Sequence, residues 1–230
     1  GWPQFIAKDW VPPYIRRIQQ AGVRVFPYID TLLWAQKDGP GYRSVDRFDT
    51  VGKKCACLKR DGGYYIENYR INDALPPFAA MCPTTRPWHE AMHATTRRLF
   101  AEYGFDGVYH DQVSAAQPKI CWATDHPHEP NSDRAWTELG YWPMFERIDM
   151  LRKEFPTLAS TTEDASEPQL NLFDGFMTWR WVGSHQVPLF ASLYSGRAQF
   201  VGRIFSHRDR ESFRINLATQ LVNGEQLGWM

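Results

Sequence analysis

The chain has 230 residues, which is enough for one sizeable hydrophobic core and favours one domain over two. Lys and Arg together number 26, as do Asp and Glu, so the formal net charge is zero and gives no electrostatic reason to expect nucleic acid or an anionic membrane as a partner. No stretch approaches the roughly 20 apolar residues of a membrane span, and the opening GWPQFIAKDW lacks the features of a signal peptide. Either the protein is intracellular or this chain begins after a targeting segment, so a secreted or periplasmic location stays open.

The first predicted elements alternate between helix and strand. Residues 11–22 (VPPYIRRIQQAG) predict a helix that is opened by two prolines and ended by a glycine. Residues 23–29 (VRVFPYI) predict a buried strand, which ends at Asp30. Residues 31–86 interrupt the alternation as a long loop, in which the Asp-Gly-Gly turn at residues 61–63 indicates an inserted hairpin.

The middle of the chain resumes the alternation. A helix is predicted over residues 84–104, where large apolar side chains recur at helical spacing, and the short strand GVYHD follows over residues 107–111. A second long loop, residues 112–134, precedes a helix over about residues 136–154. The strand LAST, residues 158–161, then runs into the polar segment Thr-Glu-Asp.

The last part of the chain contains three more predicted strands. They are GFMTW (residues 175–179), VPLFASL (residues 187–193) and QLGWM (residues 226–230). A helix over residues 209–224 precedes the last of them.

Short apolar strands that alternate with amphipathic helices are typical of a parallel sheet with helical crossovers. We count about six βα units, compared with the eight of a closed barrel. The pattern therefore predicts an α/β, TIM-barrel-like (β/α)8 fold that lacks its first two strands, and a complete open sheet is the alternative. We expect residues 1–230 to form one catalytic-type barrel domain with inserted loops at about residues 31–86 and 112–134.

Strand polarity separates two kinds of acidic residue in this pattern. Asp106 and Asp174 precede their strands in Phe-Asp-Gly motifs, so we expect them to be turn residues at the stabilising end of the barrel. Asp111 and Glu163 follow two adjacent strands, at the end where barrel enzymes carry their catalytic groups. We expect these two side chains to face each other across a cleft.

Retaining glycosidases use two catalytic carboxyl groups that lie about 5 Å apart. We assign Asp111 as the nucleophile, because its short side chain is held at the strand end, and Glu163 as the proton donor and later the base. The alternative for both residues is a capping role, since Thr-Thr-Glu-Asp also resembles a helix start. Further candidates at the same end are expected to bind the sugar, with Trp34 or Trp179 offering a stacking face: Asp30, Trp34, His110, Gln112, His126, His128, Trp179 and Arg180.

Metal binding is the weaker interpretation of the same residues. The four cysteines do not form the paired CxxC pattern of a zinc site, and their pairing cannot be read from the sequence. Within the second loop, CWATDHPHEP holds His126 and His128 near Cys121, but no partner pair is evident elsewhere. We therefore predict no metal ligand and no cofactor. Two rivals stay open: a metal-dependent hydrolase that uses Asp111, His126, His128 and Glu163, and a non-catalytic sugar-binding barrel.

Several motifs together resemble a glycoside-hydrolase-like barrel family that is distantly similar to the clan D α-galactosidases and to endo-α-N-acetylgalactosaminidases. They are GVRVFPYID, GFDGVYHDQ, the loop containing HPH, STTEDASE, DGFMTW and LATQLVNGEQLGW. The resemblance runs from about residue 9 to the end of the chain and implies an oligosaccharide or glycoconjugate as the substrate. It also implies a strand-end nucleophile at Asp111 and an acid/base at Glu163. α-Galactosidases take their acid/base from a later strand, where this chain has Arg180, so Glu163 follows the other branch.

Overall fold

The computed structural model describes residues 3–37, 48–69, 75–178, 187–202 and 209–228. In this part of the chain the main sheet has five parallel strands: β1 (Tyr28–Asp30), β5 (Gly107–Asp111), β6 (Ala159–Glu163), β7 (Gly175–Thr178) and β8 (Gln199–Gly202). Their order in the sheet is β1-β5-β6-β7-β8, which follows the chain. Such sequential parallel order is typical of strands that are joined by helical crossovers.

The helices of the described residues are α1 (Val11–Gln20), α2 (Arg86–Ala101), α3 (Trp142–Asp149), α4 (Leu189–Tyr194) and α5 (Arg210–Val222). A π-helical turn at Thr137–Tyr141 leads into α3, and a 3-10 turn at Met150–Lys153 extends it. The predicted apolar face of α2 is confirmed, because Trp88, Met92 and Leu99 are all fully buried. None of the helices in the described part is long and apolar enough to cross a bilayer.

The first long loop folds into a small antiparallel sheet. Its strands are β2 (Leu33–Ala35), β3 (Ile66–Glu67) and β4 (Phe78–Ala80), in the order β2-β4-β3. The predicted Asp-Gly-Gly turn is confirmed, since Gly62 adopts a φ of +83° and its N–H donates to the Lys59 carbonyl at 3.0 Å. The insertion is therefore larger than the single hairpin that the sequence predicts.

Near the C-terminus one prediction is wrong and one strand was missed. Residues 187–193, expected to be a strand, contribute instead to α4, and the strand β8 at Gln199–Gly202 was not predicted. A short apolar run fits either a buried strand or a helix by periodicity alone, and tertiary packing decides between them. Of residues 226–230, Gln226 forms a single parallel bridge with Val201, and residues 229–230 lie outside the described part.

A mixed α/β fold around a parallel sheet is therefore confirmed, whereas the described strands do not close into a barrel. One face of the sheet packs on the helices and carries the core residues Ile29, Val108, Phe176 and Phe200, each no more than 2% exposed. The opposite face carries the alternate side chains of the same strands. That opposite face holds the candidate site.

Candidate active site

The register of the parallel sheet brings three carboxylates into one row. Asp30 of β1 pairs with Asp111 of β5. His110 of β5 pairs with Thr162 of β6, which sets Asp111 beside Glu163 at the next position. All three acids stand at the carboxyl ends of their strands, on three neighbouring strands of the sheet.

The row of carboxylates shares a sheet face with an open cavity of about 460 Å³. Tyr28, Tyr109 and Thr161 line this cavity and lie two residues before Asp30, Asp111 and Glu163 along their strands. Because side chains two residues apart point to the same face of a strand, the acids lie on the cavity side of the sheet.

Two tyrosine hydroxyls hold the carboxylate of Asp111, which is 9% exposed. Tyr28 donates to Oδ2 at 2.5 Å, and Tyr109 donates to Oδ1 at 3.2 Å. Burial raises the pKa of Tyr28, so its hydroxyl keeps the proton that it donates. Both carboxylate oxygens of Asp111 are therefore engaged by tyrosine donors.

Asp30 differs from Asp111 in its surroundings, because it is fully buried. Its Oδ1 accepts hydrogen bonds from the backbone N–H groups of Leu32 at 2.8 Å and Leu33 at 2.7 Å, while Oδ2 has no hydrogen-bond partner among the described residues. Burial and the charge of Asp111 raise the pKa of Asp30 well above its usual value, against the lowering effect of the two N–H groups. Asp30 thus favours the neutral form, and its burial does not support the predicted direct contact with a sugar.

Glu163 is half-buried and lines a polar pocket of about 310 Å³ together with Gln112, Glu67 and Lys119. Gln112 adopts a φ of +68° and donates through Nε2 to the Tyr69 hydroxyl and to Glu67 Oε2, the latter at 3.4 Å. Lys119 pairs with Glu67 at 3.3 Å. Glu163, predicted as the acid/base, and Gln112, predicted to bind the sugar, therefore line one pocket.

Sequence reasoning missed the tyrosines and the residues that the inserted sheet contributes. Glu67 ends β3, and Tyr69 follows it. Glu67 lies 45 positions before Gln112 in the chain, so no local pattern connects them. Tyr28 and Tyr109, in contrast, could have been found, because they share strand parity with Asp30 and Asp111.

His110 points away from the row, as expected for a residue next to Asp111 on the same strand. Its ring packs against Phe145 and Phe173, with centroids 4.9 and 6.1 Å away, and its Nδ1 lies 2.9 Å from Thr31 Oγ1. Burial lowers the pKa of His110 to about 3, so the ring is neutral. This position on the helix side of the sheet does not support the predicted contact with a sugar.

Trp34 is 1% exposed, and its ring centroid lies 5.8 Å from that of Trp88 in the core. A fully buried indole offers no face to a sugar, so the predicted stacking role of Trp34 is not supported. The other predicted stacking residue, Trp179, lies outside the described residues, as does Arg180.

His126 and His128 lie in a different cluster from the carboxylates. Their ring nitrogens and the sulfurs of Cys82 and Cys121 all lie within 4.8 Å of one another. Cys82 lies 46 positions before His128, so no local pattern connects it to the HPH motif. Among the described residues, the ligand set predicted for a metal-dependent hydrolase is therefore not assembled, since Asp111 and Glu163 are not members of this group.

The two acidic turn residues are placed as predicted. Asp106 Oδ2 accepts from the Val25 backbone N–H at 2.8 Å and from Gln19 Nε2 at 2.9 Å. Asp174 Oδ2 accepts from the backbone N–H of Ser160 at 2.8 Å and is also bonded to Arg152. Both carboxylates accept hydrogen bonds near the amino ends of strands, opposite to the ends that carry Asp111 and Glu163.

The chain is similar to proteins that carry glycoside hydrolase names. It is 28% identical to "Putative glycoside hydrolase 22789" of Monosiga brevicollis over 96% of this chain, and 28% identical to "Putative glycoside hydrolase" of Bacteroides thetaiotaomicron over 94% of it. It spans 20% and 31% of the lengths of these two relatives. The resemblance to glycoside-hydrolase-like proteins that the sequence predicts is thereby confirmed.

A solved structure and a family model complete the comparison. The α-galactosidase TtGalA of Thermus thermophilus, in complex with stachyose, matches with a TM-score of 0.57 at 14% identity, over 96% of this chain and 48% of that one. A likeness at this identity concerns the fold alone. The model of the family described as "Domain of unknown function (DUF6259)" matches residues 3–206, and the chain therefore belongs to this family.

Proposed function

We propose that this chain carries the catalytic site of a glycoside hydrolase that cleaves a glycosidic bond with retention of configuration. The observation that supports the proposal is the register of the sheet, which sets Asp111 beside Glu163 at the carboxyl ends of adjacent strands. The ends of parallel strands are where barrel enzymes carry their catalytic groups.

The spacing of the strands favours retention over inversion. Adjacent strands lie about 4.8 Å apart, so two side chains at neighbouring positions on one sheet face start from about that separation. Retaining enzymes place their carboxyl groups about 5 Å apart, whereas inverting enzymes leave about 6.5–9.5 Å for a water molecule.

The surroundings of the two acids suit different roles. Asp111, held by Tyr28 and Tyr109, attacks the anomeric carbon as a carboxylate, and the bond to the leaving oxygen breaks as Glu163 gives that oxygen a proton. Glu163 then removes a proton from water, which attacks the anomeric carbon and releases Asp111.

We further propose that the five parallel strands are part of a (β/α)8 barrel whose interior face carries the row of carboxylates. The sequential strand order is compatible with such an arc. The substrate that we propose is an oligosaccharide or glycoconjugate, since the relatives carry glycoside hydrolase names and the α-galactosidase was solved with stachyose.

Two aspartates that are five positions apart provide a matched test. Asp111→Asn should abolish hydrolysis of those nitrophenyl α- or β-glycosides, out of a panel, that the purified wild-type protein cleaves. Asp106→Asn changes the same functional group at the other end of β5 and should keep the turnover per folded molecule, although two hydrogen bonds are weakened.

A second variant tests the acid/base. Glu163→Ala should slow cleavage most for glycosides with poor leaving groups, which need a proton donor in the first step. For a substrate with an activated leaving group the second step becomes limiting, and azide should restore turnover by forming a glycosyl azide of the retained anomer. If Asp111→Asn keeps wild-type activity, or if azide yields the inverted product, the retaining assignment is wrong. Binding of an oligosaccharide by wild-type protein without any hydrolysis would instead favour the non-catalytic sugar-binding module.

A further inference from the structure

A cluster of cysteines and histidines joins the two inserted segments outside the row of carboxylates. Cys82 follows β4, whereas Cys121, His126 and His128 belong to the loop at residues 112–134. The sulfur of Cys82 lies 3.3 Å from His128 Nε2, and that of Cys121 lies 3.4 Å from His126 Nδ1. All four cysteines of the chain are free thiols, so no disulfide competes for these atoms.

The outer partners of both histidines orient them for a metal ion. His126 Nε2 lies 3.2 Å from the carbonyl oxygen of Lys54, and His128 Nδ1 lies 2.8 Å from that of Glu129. A carbonyl oxygen can only accept, so these two nitrogens carry the hydrogens. The remaining lone pairs, on His126 Nδ1 and His128 Nε2, therefore belong to the nitrogens that face the sulfurs. This use of the second ring N–H is typical of histidines that ligate metals.

We propose that Cys82, Cys121, His126 and His128 bind one Zn²⁺ ion in a closed, structural site. Zinc–sulfur and zinc–nitrogen bonds of about 2.3 and 2.05 Å at a tetrahedral centre place ligand atoms roughly 3.3–3.8 Å apart. The two sulfur–nitrogen distances of 3.3 and 3.4 Å are close to this range, and the whole set lies within 4.8 Å. Two thiolates neutralise the ion, which suits a site whose cysteines are no more than 1% exposed.

Cys57 gives the site an additional neighbour. Its side chain is fully buried and within hydrogen-bonding reach of the sulfurs of both Cys82 and Cys121. The Cys57 thiol is thus placed to donate a hydrogen bond to a metal-bound thiolate, an interaction that orients and tunes such ligands. Because four protein ligands fill a tetrahedral shell, this ion stabilises the fold and leaves no position for a catalytic water.

The ion would fix one wall of the candidate active site. The loop that supplies Cys121 also supplies Lys119, which pairs with Glu67 across the pocket that Glu163 lines. Cross-linking this loop to the segment after β4 therefore holds Lys119 in place. The proposal does not rest on glycosidase activity, because metal content is measured without substrate.

Elemental analysis of protein purified under reducing conditions with zinc tests the proposal. We expect one zinc ion per chain in the wild type and in Cys55→Ala, which removes another fully buried thiol only two positions from Cys57. Cys82→Ala and His128→Ala should lower zinc affinity by more than about 10-fold, since loss of an outer partner alone typically costs 10–100-fold. Retention of zinc by Cys82→Ala with wild-type affinity overturns the ligand assignment.

Chelation and reloading of the wild-type protein avoid any dependence on whether a variant folds. Removal of the ion should lower the Tm, and cobalt should restore it with the visible absorption of tetrahedral thiolate coordination. The proposal fails if the reduced wild-type protein contains no zinc and takes up no cobalt. It also fails if mass spectrometry of peptides finds a disulfide among Cys57, Cys82 and Cys121 in the protein as purified.

Discussion

Tyr28→Phe should slow one half of the proposed reaction while leaving the fold intact. The Tyr28 hydroxyl donates to Asp111 Oδ2 at 2.5 Å, and a hydrogen bond to a charged group contributes about 1.5–3 kcal/mol. Asp111 loses its charge when the glycosyl-enzyme bond forms and regains it when that bond is hydrolysed. The loss of this donor therefore raises the barrier of the second step. At the full contribution of the hydrogen bond, that step becomes about 10- to 150-fold slower.

The assay is pre-steady-state hydrolysis of a nitrophenyl glycoside that the wild-type protein cleaves. Tyr28→Phe should produce a burst of nitrophenol, followed by a slower steady state in which kcat and KM fall together because the covalent intermediate accumulates. Tyr109→Phe is the matched variant, and its effect should be smaller because its hydroxyl lies 3.2 Å from Oδ1.

The Tm separates this effect from a merely structural one. The phenylalanine keeps the ring contact with Tyr109, whose centroid lies 5.7 Å away, so thermal stability should be close to that of the wild type. A fall in kcat with a raised KM and no burst would refute the reasoning. So would a larger loss in Tyr109→Phe than in Tyr28→Phe.

Two further predictions concern stability. Burial raises the folded-state pKa of Asp30 above the unfolded value of about 3.9, so the folded protein retains a proton that the unfolded chain loses as the pH rises. The stabilisation from this proton is fully present below the pKa that Asp30 has in the unfolded chain. It is lost as the pH rises through the pKa that Asp30 has in the folded protein. Asp30→Asn should therefore lose less stability than the wild type between about pH 4 and neutrality, whereas parallel curves of Tm against pH would contradict this. Trp34→Ala should cost about 3–5 kcal/mol, or roughly 6–20 °C in Tm for a chain of this size, because the indole is buried in the core. An unchanged Tm with weaker oligosaccharide binding would restore its predicted stacking role.

Local patterns predicted much of the parallel sheet. The strand Gly107–Asp111 has the predicted bounds, because its buried run stands between clear breaks at each end. The polarity of that strand then separates Asp106 from Asp111 without any tertiary information. The same kind of reasoning failed at Leu189–Tyr194, where a short apolar run fits both helix and strand and the surrounding core decides.

The sheet face to which a side chain points was harder to predict than the residue at which a strand ends. His110 and Asp111 were expected to act together, yet side-chain alternation turns His110 toward Phe145 and into the core. That error was avoidable, since a strand buried on both faces must direct neighbouring residues to opposite sides. Trp34 was expected to offer a stacking face to a sugar, but it lies in β2 of the antiparallel sheet and is buried in the core, which no local pattern indicates.

The two inserted segments explain why the rest of the site is not readable from local sequence. The first supplies Glu67 to the pocket of Glu163, and the second supplies Lys119, its ion-pair partner. The same two segments supply Cys82 and the HPH histidines to the thiol cluster. Neither segment alone indicates the pocket or the thiol cluster, because the contacting residues lie far apart in the chain. His128 and Cys82, for example, are separated by 46 positions. If a metal ion joins the two segments, its removal should disturb the Glu67–Lys119 ion pair and leave the parallel strands in place. Chelation should therefore weaken substrate binding while the parallel sheet stays folded.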